Sequence, residues 1–89
     1  METQKFAFIS EEYQSQGIRW LRLFPDIDET GGIFLLLYQD LSKGSLYDYW
    51  FETIDVAQKW ASKYYGVKEQ DWRTREGLEK DGIHIIDDL

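Results

Sequence analysis

The sequence predicts an α+β domain in which an antiparallel meander of three to four strands carries one amphipathic helix on one face. Three observations support this class. Short apolar or alternating segments recur along residues 5–52, polar turn residues separate them, and a single helical pattern follows at residues 54–65. Because the chain has 89 residues and no linker-like stretch, we expect a single domain over residues 1–89.

Four strands are predicted before the helix, over residues 5–9, 18–24, 33–40 and 45–52. The second ends at Pro25, which lacks the amide proton that a sheet ladder uses. The third is almost continuously apolar, which is typical of a central strand buried on both faces. The fourth is rich in aromatic residues, which favour strands. A last apolar run over residues 83–86 predicts a short edge strand.

The helix is defined by its two ends and by its apolar face. The Thr53 hydroxyl can accept a hydrogen bond from a backbone N–H of the first turn, and the negative charge of Asp55 is favourable at the positive end of the helix dipole. Apolar residues recur on a 3.6-residue period at Val56, Ala57, Trp60, Ala61, Tyr64 and Tyr65. Gly66 stands where helices commonly end in a left-handed turn. Beyond it, residues 68–82 are mostly charged, and we expect only a helical turn near residues 69–73.

Composition narrows the classes of function. Seventeen acidic against ten basic residues give a net charge of -7, which disfavours nucleic-acid binding because phosphate contacts need a basic face. The absence of cysteine removes disulfides and thiolate chemistry and favours a cytoplasmic protein. No apolar run approaches the length of a membrane helix. We therefore expect neither a nucleic acid nor a membrane as partner.

Alternation along two of the strands predicts the candidate binding residues. On each of these strands, the face that carries a charge is expected to be the one that the helix leaves open. That face holds Trp20 and Arg22 on one strand and Asp48 and Trp50 on the other. Since Trp and Arg are enriched at interface hot spots, the face is predicted to contact another protein or a second copy of the chain. The alternative is that both tryptophans are core residues, covered by the N-terminal strand or the C-terminal segment.

Motifs for metal binding and catalysis are incomplete. Asp26, Asp28 and Gly31 match the opening of an EF-hand calcium loop, but its twelfth position is Leu37 instead of Glu, so a plain turn is favoured. His84 is the only histidine and lacks a suitably placed orienting carboxylate. We therefore expect no metal, no cofactor and no enzymatic activity. The alternative is a small ligand-binding domain or enzyme with an aromatic pocket near Tyr47, Tyr49 and Tyr64.

Residues 48–72 carry a run with a recognisable spacing. It comprises Asp48, Trp50, Thr53, Ala57, Tyr65, Gly66, Val67, Asp71 and Trp72. The run resembles one in short bacterial α+β proteins of uncharacterised function, although those often open the helix with two acids and this chain has only Asp55. The resemblance implies a bacterial, cytoplasmic protein. Some similar small acidic proteins are toxin-immunity factors, so an immunity-type inhibitor of a basic toxin is one form of the interaction hypothesis.

Overall fold

The computed structural model describes residues 4–25 and 31–86, and in them four strands form one antiparallel sheet. The strands are β1 (Lys5–Phe8), β2 (Trp20–Pro25), β3 (Ile33–Tyr38) and β4 (Tyr47–Phe51). Each strand pairs with the next along the chain, so the predicted meander is confirmed. The observed strand ends differ from the predicted ones by at most two residues.

The helix α1 (Ile54–Tyr65) packs on one face of this sheet, as predicted. The Thr53 hydroxyl accepts a hydrogen bond from the backbone N–H of Val56 at 3.2 Å, and Gly66 ends the helix with a left-handed φ of 65°. The helix meets a core of strand and loop residues: Ala7, Ile9, Ile18, Leu21, Leu23, Ile33, Leu35, Leu37 and Val67. Its own buried residues there are Ala57 and Ala61, whose small side chains allow a close approach to the sheet.

The reverse face of the sheet is partly covered by the chain itself, which corrects the expectation that α1 is the only cover. A second helix, α2 (Arg75–Lys80), follows a 3-10 turn at Glu69–Asp71. Leu78 of α2 and Ile85 beyond it are buried against the sheet, together with Phe6, Leu36, Tyr38 and Leu41. The edge strand predicted over residues 83–86 is wrong. Those residues form no strand, and the Ile86 N–H donates to the Leu41 carbonyl at 2.8 Å.

The two edges of the sheet differ. On the outer side of β1, the Phe6 N–H donates to the Arg73 carbonyl at 2.9 Å, and the Arg73 N–H donates to the Phe6 carbonyl at 2.7 Å. The segment around Arg73 therefore occupies the middle of that edge. At the other side of the sheet, β4 is the last strand, and no described strand or isolated bridge pairs with its outer edge. The described sheet thus has one covered edge and one open edge.

Candidate functional site

The four predicted binding residues lie on one face of the sheet, opposite α1, but they do not form one patch. The strand register places Arg22 opposite Leu36, and Leu36 opposite Asp48. Trp20 begins β2, whereas Trp50 lies on β4 near the other end of the neighbouring strands. Two strand spacings, roughly 10 Å, separate the tryptophans across the sheet in addition to their offset along it. The face is therefore divided into a Trp20 region and a Trp50 region.

Arg22 is a buried structural residue, with 1% of its surface exposed. Its guanidinium donates to three neutral acceptors: the Gln4 Oε1 at 2.6 and 3.1 Å, the Tyr38 hydroxyl at 3.3 Å and the Ile86 carbonyl at 3.3 Å. The guanidinium carbon also lies 5.1 Å from the ring centroid of Phe6 and 5.6 Å from that of Phe24. These contacts join β2 and β3 to the C-terminal segment, so Arg22 is not available at the surface as the sequence suggested.

Asp48 and Trp50 remain accessible beside the open edge. Trp50 is 43% exposed, and its indole lies on the backbone of Gly32. Asp48 is exposed and borders a shallow apolar concavity of about 240 Å³ whose other walls are Phe24, Phe34 and Leu36. Of the predicted binding residues, this pair is the one that the structure leaves free to contact a partner.

Trp20 lies in a different environment, beside β1. Its ring meets that of Phe8 edge to face, with centroids 5.0 Å apart, and is itself half-buried. A concavity of about 460 Å³ borders this aromatic pair, with Arg19 and Asp40 among its polar walls. Neither the core interpretation nor the interface interpretation fits Trp20 fully, because the side chain is packed on one side and open on the other.

Two of the three tyrosines of the pocket alternative pack against Trp60. The ring centroids of Tyr49 and Tyr64 each lie 5.0 Å from that of Trp60. Tyr47, Tyr49 and Tyr64 are nevertheless about half exposed. Rings exposed to this extent present a surface to solvent and do not enclose a ligand, so the geometry favours contact with a macromolecule over a buried pocket.

Two described side chains have clearly shifted pKa values, and both shifts have structural causes. Hydrogen bonds from the Ser42 N–H at 2.9 Å and its hydroxyl at 2.7 Å lower the pKa of the Asp40 carboxyl, which closes the turn after β3. Burial raises the pKa of the Tyr65 phenol, partly offset by its hydrogen bond with Ser15.

The described residues contain no group of three or more His, Asp or Glu side chains that is suited to hold a metal ion. The calcium-loop stretch, residues 26–30, lies outside the described residues. His84 is exposed in the segment that follows α2. Within the described ranges, no helix has the length and apolar character needed to cross a membrane.

The open edge carries the largest group of exposed apolar side chains on neighbouring elements. It comprises Leu46, Tyr47, Tyr49, Trp50 and Tyr64, which we call the β4 edge surface. Natural edge strands are commonly protected by charged residues, especially Lys, or by Pro. β4 contains neither Lys nor Pro over its five residues, and Asp48 is its one charge. The sequence predicts most of these side chains as candidates, and the predicted meander already puts their strand last in the sheet. It does not show that the β1 edge is covered and the β4 edge open, since that difference depends on the pairing of Arg73 with Phe6.

Comparisons of this chain with protein-family models, with curated proteins and with solved structures find no match. The resemblance of residues 48–72 to short bacterial proteins therefore stays a prediction. The β4 edge surface is the candidate functional site.

Proposed function

We propose that this protein is a non-catalytic interaction module that binds a polypeptide strand through the β4 edge surface. The observation that carries the proposal is an open edge strand with exposed apolar side chains on both of its faces. Unpaired backbone N–H and C=O groups along such an edge accept an added strand, and the alternating side chains select which strand binds.

The side chains supply the apolar area that such binding needs. Tyr47 and Tyr49 extend from the α1 side of β4, and Trp50 extends from the reverse side. A strand laid along β4 covers both sets, and removing apolar surface from water stabilises the contact by about 25 cal/mol per Å². Asp48 is the only charge within β4 and favours a partner that presents a basic or hydrogen-bond-donating group there.

A binding role is also supported by what the chain offers for chemistry. It contains no cysteine, and its single histidine, His84, is exposed in the segment that follows α2. The net charge of -7 supports an immunity-type inhibitor of a basic toxin as a narrower form of this proposal. Following the resemblance and the lack of cysteine, we place the protein in the bacterial cytoplasm.

Site-specific photocrosslinking in the organism that encodes the chain tests the proposal. A benzophenone amino acid replaces Trp50, and Phe8 serves as the matched control because it is exposed to a similar extent on the opposite strand of the sheet, β1. We expect a discrete adduct from position 50 that disappears when Tyr47→Lys is added, and no such adduct from position 8. Equal adducts from both positions, or none from position 50, contradict the proposal.

A further inference from the structure

We infer that the strand bound at the β4 edge surface belongs to a second copy of this chain, paired antiparallel across a two-fold axis at Tyr49. Two four-stranded sheets then become one continuous eight-stranded sheet. This inference rests on the proposed function, because it uses the same open edge, and it names the partner.

Pairing through β4 produces a closed dimer. A sheet that is open at both edges adds copies without limit, whereas a sheet with one open edge forms a closed, symmetric pair. Arg73 occupies the β1 edge through its two backbone hydrogen bonds with Phe6. Only β4 remains open among the described strands, so pairing through it ends at the dimer.

The sequence of β4 favours one register for pairing with its own copy. Because β4 spans Tyr47–Phe51, full antiparallel overlap of the strand with its own copy pairs Tyr49 with the partner's Tyr49. Asp48 then stands opposite the partner's Trp50, and the two carboxylates are kept apart. A shift that centres the pairing on Asp48 places like charges directly opposite each other, which is unfavourable. Charge and overlap therefore select the same register.

The exposed aromatic area at the β4 edge surface is close to what a dimer interface needs. Tyr47, Tyr49, Trp50 and Tyr64 are between 43% and 53% exposed. At roughly 150–250 Å² for each aromatic side chain, they present about 300–500 Å² per copy. The two copies together present about 600–1,000 Å² before Leu46 and the β4 backbone are counted, which approaches the lower end of stable protein interfaces.

A contact of this size is typical of a reversible association, so we expect a dimer whose population depends on protein concentration. The net charge of -7 on each copy opposes association at long range. Because salt screens this repulsion, raising the ionic strength is expected to strengthen the dimer. A dimer held together by exposed ion pairs weakens instead when the ionic strength is raised.

Cysteine crosslinking tests the register, since the native chain has no cysteine of its own. In Tyr49→Cys, the two introduced side chains face each other as a cross-strand pair, with Cβ atoms roughly 4.5–5.5 Å apart, close to disulfide geometry. Tyr47→Cys is the control, with similar exposure on the same strand. In the proposed register its two copies lie about 13 Å apart along the strand. We expect Tyr49→Cys to form a covalent dimer at least about tenfold faster under mild oxidation.

Equal crosslinking rates, or no covalent dimer from Tyr49→Cys, overturn the inference if circular dichroism shows that the reduced variants are folded. Sedimentation equilibrium gives a second test that needs no cysteine. The native chain is expected to dimerise and Tyr49→Lys to stay monomeric, because the substitution places two lysines opposite each other. A native chain that stays monomeric at millimolar concentration also overturns it. If position 50 then crosslinks to a different protein in cells, self-pairing is wrong and the proposed function stands.

Discussion

The indole of Trp50 lies so close to Gly32 that a Cβ atom on the glycine would stand 2.3 Å from Cζ2 of the ring. The missing side chain immediately before β3 thus leaves room for the β4 tryptophan to pack against the backbone there. The position of one residue in the β4 edge surface is set by the size of another next to the neighbouring strand.

Gly32→Ala is therefore expected to displace the Trp50 indole and to lower the free energy of unfolding by about 1 kcal/mol, the lower end of the usual cost of overpacking, because the ring is 43% exposed and can move. Urea denaturation measures the loss, and a shift in tryptophan emission reports the movement of the ring. In a Trp50→Ala background, the same glycine substitution is expected to cost much less. An equal cost in both backgrounds contradicts the proposed contact.

Arg22→Ala is expected to destabilise the fold by about 2–4 kcal/mol, since it removes a buried stem together with its hydrogen bonds to Gln4 and Tyr38. Arg19→Ala is the matched control. Arg19 is exposed, and its removal is expected to change the free energy of unfolding by no more than about 0.5 kcal/mol. Denaturant unfolding compares the two, and similar losses contradict a structural role for Arg22.

Gly66→Ala tests the contact at the end of α1. Gly82→Ala is its control, because the two glycines have similar backbone geometry. Gly66 and Gly82 both have positive φ, at 65° and 84°, so alanine is strained at each by about 1–2 kcal/mol. A Cβ on Gly66 also lies 2.4 Å from Cε2 of Tyr13, whereas nothing stands within 4 Å of one on Gly82. We expect a larger loss at Gly66 by thermal or urea unfolding. Adding Tyr13→Ala should reduce the Gly66→Ala loss to the level seen at Gly82, and an unchanged loss is evidence against the contact.

The phenol of Tyr65 makes the stability of the fold depend on pH in the alkaline range. Burial raises the pKa of its phenol in the folded state, so its contribution is fully present below the unfolded pKa of about 10 and is lost as the pH rises through the folded pKa. Phenylalanine has no proton to lose, and Tyr65→Phe is expected to lose less stability between about pH 9 and pH 11 than the native chain. Unfolding curves across this range give the comparison. Parallel losses contradict the assignment, because the other five tyrosines are present in both proteins.

The elements that the sequence predicted well are those specified by local signals. The two ends of α1 were predictable from Thr53 and Gly66, because each of these residues acts within one turn of the helix. The strands follow from alternation and from the turns between them. The helix α2 was missed because it is short and buries only Leu78, which is too little for a periodic pattern to detect.

The features that the sequence could not show depend on distant contacts. A charge within a strand normally indicates an open face, but Arg22 is buried because Gln4, Tyr38 and Ile86 accept its hydrogen bonds and the C-terminal segment covers it. The difference between the two edges has the same origin. The predicted meander already puts β4 last in the sheet, but the pairing of Arg73 with Phe6, which covers the β1 edge, joins residues far apart in the chain.

Amide hydrogen exchange at increasing protein concentration tests the central claim, that the outer edge of β4 is a binding edge used by a second copy. The amides that should respond are those of Tyr47–Phe51 that point away from β3, and those of Ile33–Tyr38 serve as the internal control. We expect exchange at the β4 amides to slow as concentration rises, while exchange in β3 stays constant. Exchange in β4 that is independent of concentration contradicts self-pairing at this edge.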